Sequence, residues 1–175
     1  MATTQRRPAT EAEAKALASA VRLRILRLCL DEPRTNQEVA AKLGVNPATT
    51  LHHVRKLVAT GFLAPQHPRR GTRGAREIPY LATRKSWTLR VPGRGQEMVD
   101  AFLREYRLVE DPDELVMSRL GLRLTDEEYE HLCHRVAEWI EELASQPPSP
   151  AGRPYSLFFS LHPDVDREAR PPAAS

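Results

Sequence analysis

Residues 35–63 read TNQEVAAKLGVNPATTLHHVRKLVATGFL, and this stretch decides the fold. Thr35 with Glu38 is a capping box, in which a hydroxyl and a carboxylate satisfy the first free amides of a helix. It predicts a short helix containing Val39, Ala40 and Leu43. Gly44 is placed to end that helix, because glycine enters the left-handed cap conformation without strain. After Val45, Asn46 is an N-cap and Pro47 takes the first helical position, where its missing N–H costs nothing. The helix that begins there is expected to run to about Thr60, with Gly61 as its stop and Phe62, Leu63 and Ala64 opening a strand.

Upstream, Thr10 with Glu13 forms another capping box, after a flexible N-terminus expected over residues 1–9. Leu17, Val21, Ile25 and Leu28 then share one helical face, so a single helix is predicted up to Pro33. Downstream, Arg69 to Gly74 (RRGTRG) is a glycine-punctuated turn, and Arg76 to Ala82 is a returning strand with Ile78, Tyr80 and Leu81. Pro79 confines that strand to an edge, or itself to a strand end. Helix, short helix, helix and hairpin outline a winged helix-turn-helix, expected over residues 10–92.

Ser86 to Val91 alternates weakly and reads as a further strand, and Pro92, Gly93 and Gly95 mark a boundary. A helical region is expected over residues 93–145 for dimerisation or effector binding. Its first helix, Gln96 to about Val109, carries Met98, Phe102, Tyr106 and Val109 on one face. A short helix is predicted from Asp111 and Pro112 to Gly121. Thr125 with Glu128 then opens a long one striped with Tyr129, Leu132, Val136, Ile140 and Leu143. Residues 146–175 read as a proline-rich linker, a buried strand at Tyr155–Leu161 (YSLFFSL) and a tail. The expected class is mainly α with small β: a winged helix-turn-helix followed by an acidic helical region with one or two short strands.

The chain has 175 residues, 41% apolar and 28% charged, which is enough to bury a core and too apolar for wholesale disorder. No apolar run approaches the roughly 18 residues that span a bilayer, and Met1 to Pro8 lacks the apolar stretch of a secretory signal. Cys29 and Cys133 form neither a disulfide framework nor a C-x-x-C pair. No membrane partner and a cytoplasmic location are expected. The net charge of +3 conceals a division. Residues 1–95 hold 18 Lys and Arg against 6 Asp and Glu, whereas residues 96–175 hold 8 against 17. Only the first half is suited to a polyanion.

The chemistry centres on the helix after Asn46. Leu51, Val54 and Val58 share one face, with Leu57 beside it; Ala48, Thr49, His52, Arg55 and Lys56 take the other. A helix entering the major groove needs small residues first, so its backbone approaches closely, and then donors that reach base edges and phosphates. The hairpin adds Arg69, Arg70, Arg73 and Arg76 within eight residues. Four like charges on one loop repel each other unless an anion meets them, and such a loop lays Arg on phosphates or into a narrow minor groove. The full set expected to face DNA is Asn46, Ala48, Thr49, His52, His53, Arg55, Lys56, Arg69, Arg70, Arg73 and Arg76.

Residues 17–30 (LASAVRLRILRLCL), the stretch from Gln37 to Leu63 and the basic hairpin together resemble the arsenical-resistance-repressor (ArsR-like) family of bacterial winged-helix transcription factors. The resemblance covers roughly residues 11 to 83; the R-L-x-I-L segment at Arg22–Leu26 and the paired His52–His53 are its most specific parts. It implies a homodimer on an operator and a DNA-facing role for Ala48, Thr49, His52 and Arg55, while Leu51 stands where the family usually has a polar residue. The family's thiolate motif is missing, because QEVAAKLG holds no cysteine. Glu128, His131, Cys133 and His134, with Cys29, would be the remaining candidates for zinc or nickel. Spacings of three drift around a helix, however, and surface histidines with a small apolar cysteine account for these residues better. No metal or other cofactor is expected. No nucleophile motif, phosphate-binding glycine loop or HExxH is present, so no enzyme is expected.

The reading is a sequence-specific regulator of transcription, a repressor, acting as a homodimer on double-stranded DNA. Three alternatives stand beside it. One is a small-molecule-sensing regulator whose effector pocket, or dimer contact, is drawn from Trp87, Met98, Phe102, Tyr106 and Trp139. The others are a metal sensor and a winged-helix protein-interaction module.

Overall fold

The computed structural model describes residues 7–71, 74–91, 93, 95–149 and 151–167. The chain divides into two units, 1–110 and 111–175. The first therefore includes the helix expected to open the acidic region.

In the first unit, α1 (Glu11–Leu17) starts at the Thr10–Glu13 capping box. It is followed by α2 (Ala20–Leu28). The single helix read from the apolar spacing is thus broken at Ala18–Ser19, and Arg22 gives the physical reason. Arg22 is 8% exposed, and its guanidinium donates to the carbonyls of Lys15 (2.8 Å), Ala18 (3.3 Å) and, through Nε, Ala16. In an unbroken helix those carbonyls would accept amides four residues on. One buried cation replaces them and lets the chain turn. The apolar stripe survives the break: Leu17 and Ile25 are buried in the core, with Val21 and Leu28 packed against it.

A short strand β2 (Arg34–Thr35) leads into α3 (Asn36–Leu43), which starts at the Thr35–Glu38 capping box and ends at Gly44 with φ +66°. Next, α4 (Pro47–Ala59) is capped by the Asn46 side chain on the Ala48 amide at 2.8 Å. β3 (Leu63–Pro65) follows. The hairpin is β4 (Arg69–Arg70) with β5 (Arg76–Glu77). β6 (Pro79–Ala82) runs antiparallel between β2 and β3, pairing Arg34 with Tyr80 and Leu63 with Ala82. The returning strand is central rather than an edge; Pro79 is tolerated because it is the first residue.

Ser86–Val91 is mostly not strand. Lys85–Thr88 is a 3-10 turn, and only Leu89–Arg90 (β7) is extended, paired in parallel with β1 (Arg7–Pro8). The N-terminal segment is accordingly held from Arg7 onward. Arg7 and Lys85 both pair with the nearly buried Glu13 carboxylate, at 2.6 and 2.7 Å. The core draws Leu17, Ile25, Val39, Val54, Leu57, Phe62, Leu63 and Leu89 from helices and strands alike. Finally α5 (Gly95–Tyr106) lies on α2, burying Ala101, with Arg27 paired to Glu105 at 3.3 Å.

In the second unit, Pro112–Glu114 is a single 3-10 turn, and residues 115–125 are not helical. The short helix expected to reach Gly121 is absent; one Asx cap, Asp111 to the Asp113 amide at 2.9 Å, holds only one turn. α6 (Asp126–Ser145) starts at the Thr125–Glu128 capping box as expected. Tyr155–Leu161 is neither strand nor buried; Tyr155 is 79% exposed. Its alternation marks a strand, but among the described residues no ladder forms on it.

Candidate nucleic-acid interface

The two faces of α4 are cleanly separated. Thr50, Val54 and Leu57, at spacings of four and three, are buried on the core. Ala48, Thr49, His52 and Arg55 are exposed. Thr50 turns its hydroxyl inward to the Asn46 carbonyl at 3.2 Å, so Thr49, and not its neighbour, is the free hydroxyl of the first turn. Leu51 and Lys56 are half-buried at the margins. One constraint has no local signature in the sequence: Asn36 Nδ2 donates to the Pro47 carbonyl at 2.8 Å, fixing the start of α4 against the start of α3.

His52 and His53 part ways. His52 is exposed with Ala48 and Arg55, whereas His53 is half-buried and its Nδ1 lies 3.4 Å from Arg22 Nη1. A guanidinium only donates, so the neutral ring presents its Nδ1 lone pair to Arg22 and carries its proton on Nε2. Burial, then the charges of Arg22, His52 and Lys56, push the His53 imidazolium below its ordinary pKa. Of the residues expected to face DNA, His53 is thus turned toward α2.

In the hairpin, Arg70 stands directly across from Arg76, and both are exposed. Like charges opposed on a ladder destabilise it, and an anion between them would relieve this. Arg69 is already engaged: it pairs with Glu38 at the start of α3. Burial alone would raise the Glu38 pKa, but the Thr35 amide and hydroxyl and then Arg69 outweigh it and hold the carboxyl low. Arg73 lies outside the described residues.

The candidate dimer or effector residues do not form one group. Phe102 and Tyr106 touch, ring centres 5.7 Å apart, on α5. Met98 is exposed one turn earlier. Trp87 lies under the Arg84 guanidinium at 5.2 Å. Trp139 is on α6, in the other unit. Cys29 is fully buried and Cys133 half-exposed. Among the described residues no three His, Cys, Asp or Glu side chains gather in a group that could hold a metal ion. No helix among them is long and apolar enough to cross a membrane.

The region from Leu17 to Gln66 matches the family model of a helix-turn-helix domain. With the β4–β5 hairpin beside it, the first unit is a winged helix-turn-helix. The match is to that general domain and not to the arsenical-resistance group in particular. Similar solved structures include reduced HlyU from Vibrio cholerae, 20% identical over 54% of this chain and 85% of that one, with a TM-score of 0.35. Another is the homodimeric winged helix-turn-helix DNA-binding domain of Mb0332 from Mycobacterium bovis, described as a possible ArsR-family regulator. It is 22% identical over 54% of this chain and 76% of that one, with a TM-score of 0.35. ZitR from Lactococcus lactis is 24% identical over 71% and 74%, with a TM-score of 0.34. No curated protein matches the chain.

Proposed function

We propose that the chain is a sequence-specific DNA-binding regulator of transcription, a repressor, that acts as a homodimer with α4 as its reading helix. The observation that carries this is the clean division of α4. Thr50, Val54 and Leu57 are locked into the core, while Ala48, Thr49, His52 and Arg55 stand clear with a slim first turn. That face meets what the major groove requires, a close backbone approach followed by donors aimed at base edges. The opposed Arg70 and Arg76 suit a phosphate, which positions the protein without reading sequence.

Selection of bound duplexes from a random DNA pool tests the reading. The expected result is an enriched motif with two related half-sites, bound with an affinity that falls steeply with added salt as counterions are released. A pool that shows no enrichment after repeated selection would overturn it and favour a protein-interaction module.

A further inference from the structure

Lys85 joins the far end of α4 to the first helix of the fold. Its Nζ donates to the Glu13 carboxylate on α1 at 2.7 Å and to the Thr60 carbonyl, just past α4, at 2.7 Å. It also lies over the Phe62 ring, 5.3 Å from the ring centre. An ammonium only donates, so two oxygens and an aromatic face satisfy it well. The site is set into the fold: the Glu13 side chain is 7% exposed and Phe62 is buried. Arg7 on β1 holds the same carboxylate at 2.6 and 2.9 Å. Arg7, then Lys85 and the Thr10 amide, keep the Glu13 carboxyl well below the usual carboxylate range, so the anchor stays ionised.

The end of α4 is shaped to receive this cation. The Phe62 amide donates back to the Leu57 carbonyl at 2.8 Å and the Gly61 amide to that of Val58 at 3.0 Å. This crossed pair closes a helix through a left-handed residue, here Gly61 with φ +74°. The Thr60 carbonyl stands at the negative end of the helix dipole, where a cation is favoured. A Cβ at Gly61 would lie 3.3 Å from Lys85 Nζ, so the glycine also makes room for it. Thr83 secures the same corner, its amide donating to the Phe62 carbonyl at 3.0 Å and its hydroxyl to that of Gly61 at 2.8 Å. Between Thr83 and Lys85 stands Arg84, whose φ of +59° is the one left-handed backbone at a non-glycine among the described residues. Such strain persists only where the surroundings dictate the turn. Here the turn brings Lys85 back over Gly61.

α4 is therefore pinned at both ends. Asn36 holds the Pro47 carbonyl at the start, and Lys85 holds that of Thr60 at the finish. Its 13 residues, at about 1.5 Å each, separate the two pins by about 20 Å. Release of the far pin lets the helix pivot about its start, and Arg55 then moves further than Ala48. Hydrogen bonds to base edges tolerate only a few tenths of an ångström, whereas a long arginine on a phosphate follows such a shift. Resting on the DNA reading above, we propose that Lys85 is a positioning residue for base recognition. Through Glu13 and the Thr60 carbonyl it fixes the angle at which α4 meets the duplex, without itself contacting DNA.

Two variants test this. Lys85→Met keeps the stem over Phe62 and removes the donor; Glu13→Gln still completes the capping box of α1 and removes the charged anchor. In the free protein, amides of Thr60, Gly61 and Phe62 should exchange about fivefold faster in Lys85→Met, while those of Val39 and Ala40 stay as they were. Titration of the selected duplex and a scrambled one should show the ratio of their affinities falling about fivefold in both variants. Partial unfolding would lower both affinities alike and leave that ratio unmoved. Bulk charge would push the two variants in opposite directions, since one loses a cation and the other an anion. Unchanged exchange at Thr60, Gly61 and Phe62 overturns the proposal, as does faster exchange with the ratio intact. A parent chain that selects no duplex overturns the DNA reading and this role with it. A parent that selects a motif, beside a Lys85→Met variant that keeps the full ratio, overturns this role alone.

Discussion

Arg22 and His53 meet between α2 and α4, Nη1 to Nδ1, at 3.4 Å. The same guanidinium that ends α1 thus also touches the inner flank of the helix proposed to read DNA. Arg22→Ala orphans the carbonyls of Lys15, Ala16 and Ala18 at once. The expected cost is about 3 kcal/mol, the scale of losing hydrogen bonds to a charged group and leaving buried acceptors unmet. Urea unfolding measures it. Arg22→Lys should recover less than half, because an ammonium lacks the planar fork that reaches three carbonyls. Full recovery by lysine would defeat the account of the helix break.

The histidine in that pair makes stability depend on pH. Folding lowers the His53 pKa below its ordinary 6.5, with burial first and neighbouring cations next. The folded state therefore binds fewer protons than the unfolded chain just below that value, and stability rises with pH there. Its contribution is present above about pH 6.5 and is lost as pH falls toward the lowered value. His53→Asn should flatten this part of a stability-versus-pH curve. A slope unchanged in His53→Asn would refute the assignment.

The two thiols should differ in reactivity. Burial pushes the Cys29 thiol up to about 11, whereas Cys133 is half-exposed on α6. Thiolate is the reactive form, so Ellman's reagent should modify one thiol per native chain quickly and the second only on unfolding. Cys133→Ser should abolish the fast phase. A fast phase that persists in that variant would show that the core around α2 opens readily.

Specificity and affinity should separate by element. His52→Ala and Arg55→Ala should each reduce preference for the selected motif over random duplex, by about 1–3 kcal/mol for a base-edge contact. Arg70→Ala should weaken both alike and lower the salt slope by about one. Titration of matched and scrambled duplexes separates the two effects. Equal losses for all three variants would remove α4 as the reader.

What the sequence made legible was local. The boxes at Thr10, Thr35 and Thr125 and the Asn46 cap each involve groups two or three residues apart, so spacing alone placed four helix starts. The face of α4 was legible only in part: Val54 is in the core as its spacing put it, but Thr50 and Leu57 complete the buried face, and Leu51 and Val58, expected there, are half-buried. The break at Ala18–Ser19 was not, because the apolar stripe continues through it and its cause is a side chain reaching back from Arg22. His52 and His53 looked alike in sequence; only the packing of α2 against α4 separates them. Tyr155–Leu161 has a strand's alternation, but a ladder is a property of two segments and the pattern names only one.

The bond between Arg69 and Glu38 makes the hairpin a latched arm. Glu38 already accepts the Thr35 amide at 2.7 Å, so the latch is anchored in the same corner that starts α3. A phosphate arriving at Arg69 must draw it from a carboxylate, exchanging one partner for another. Glu38→Gln, which still completes the capping box, unlatches it. Duplex binding by that variant should gain in affinity and in salt slope for every sequence alike, so that the preference between sequences stays where α4 sets it: the carboxylate restrains grip and leaves aim untouched.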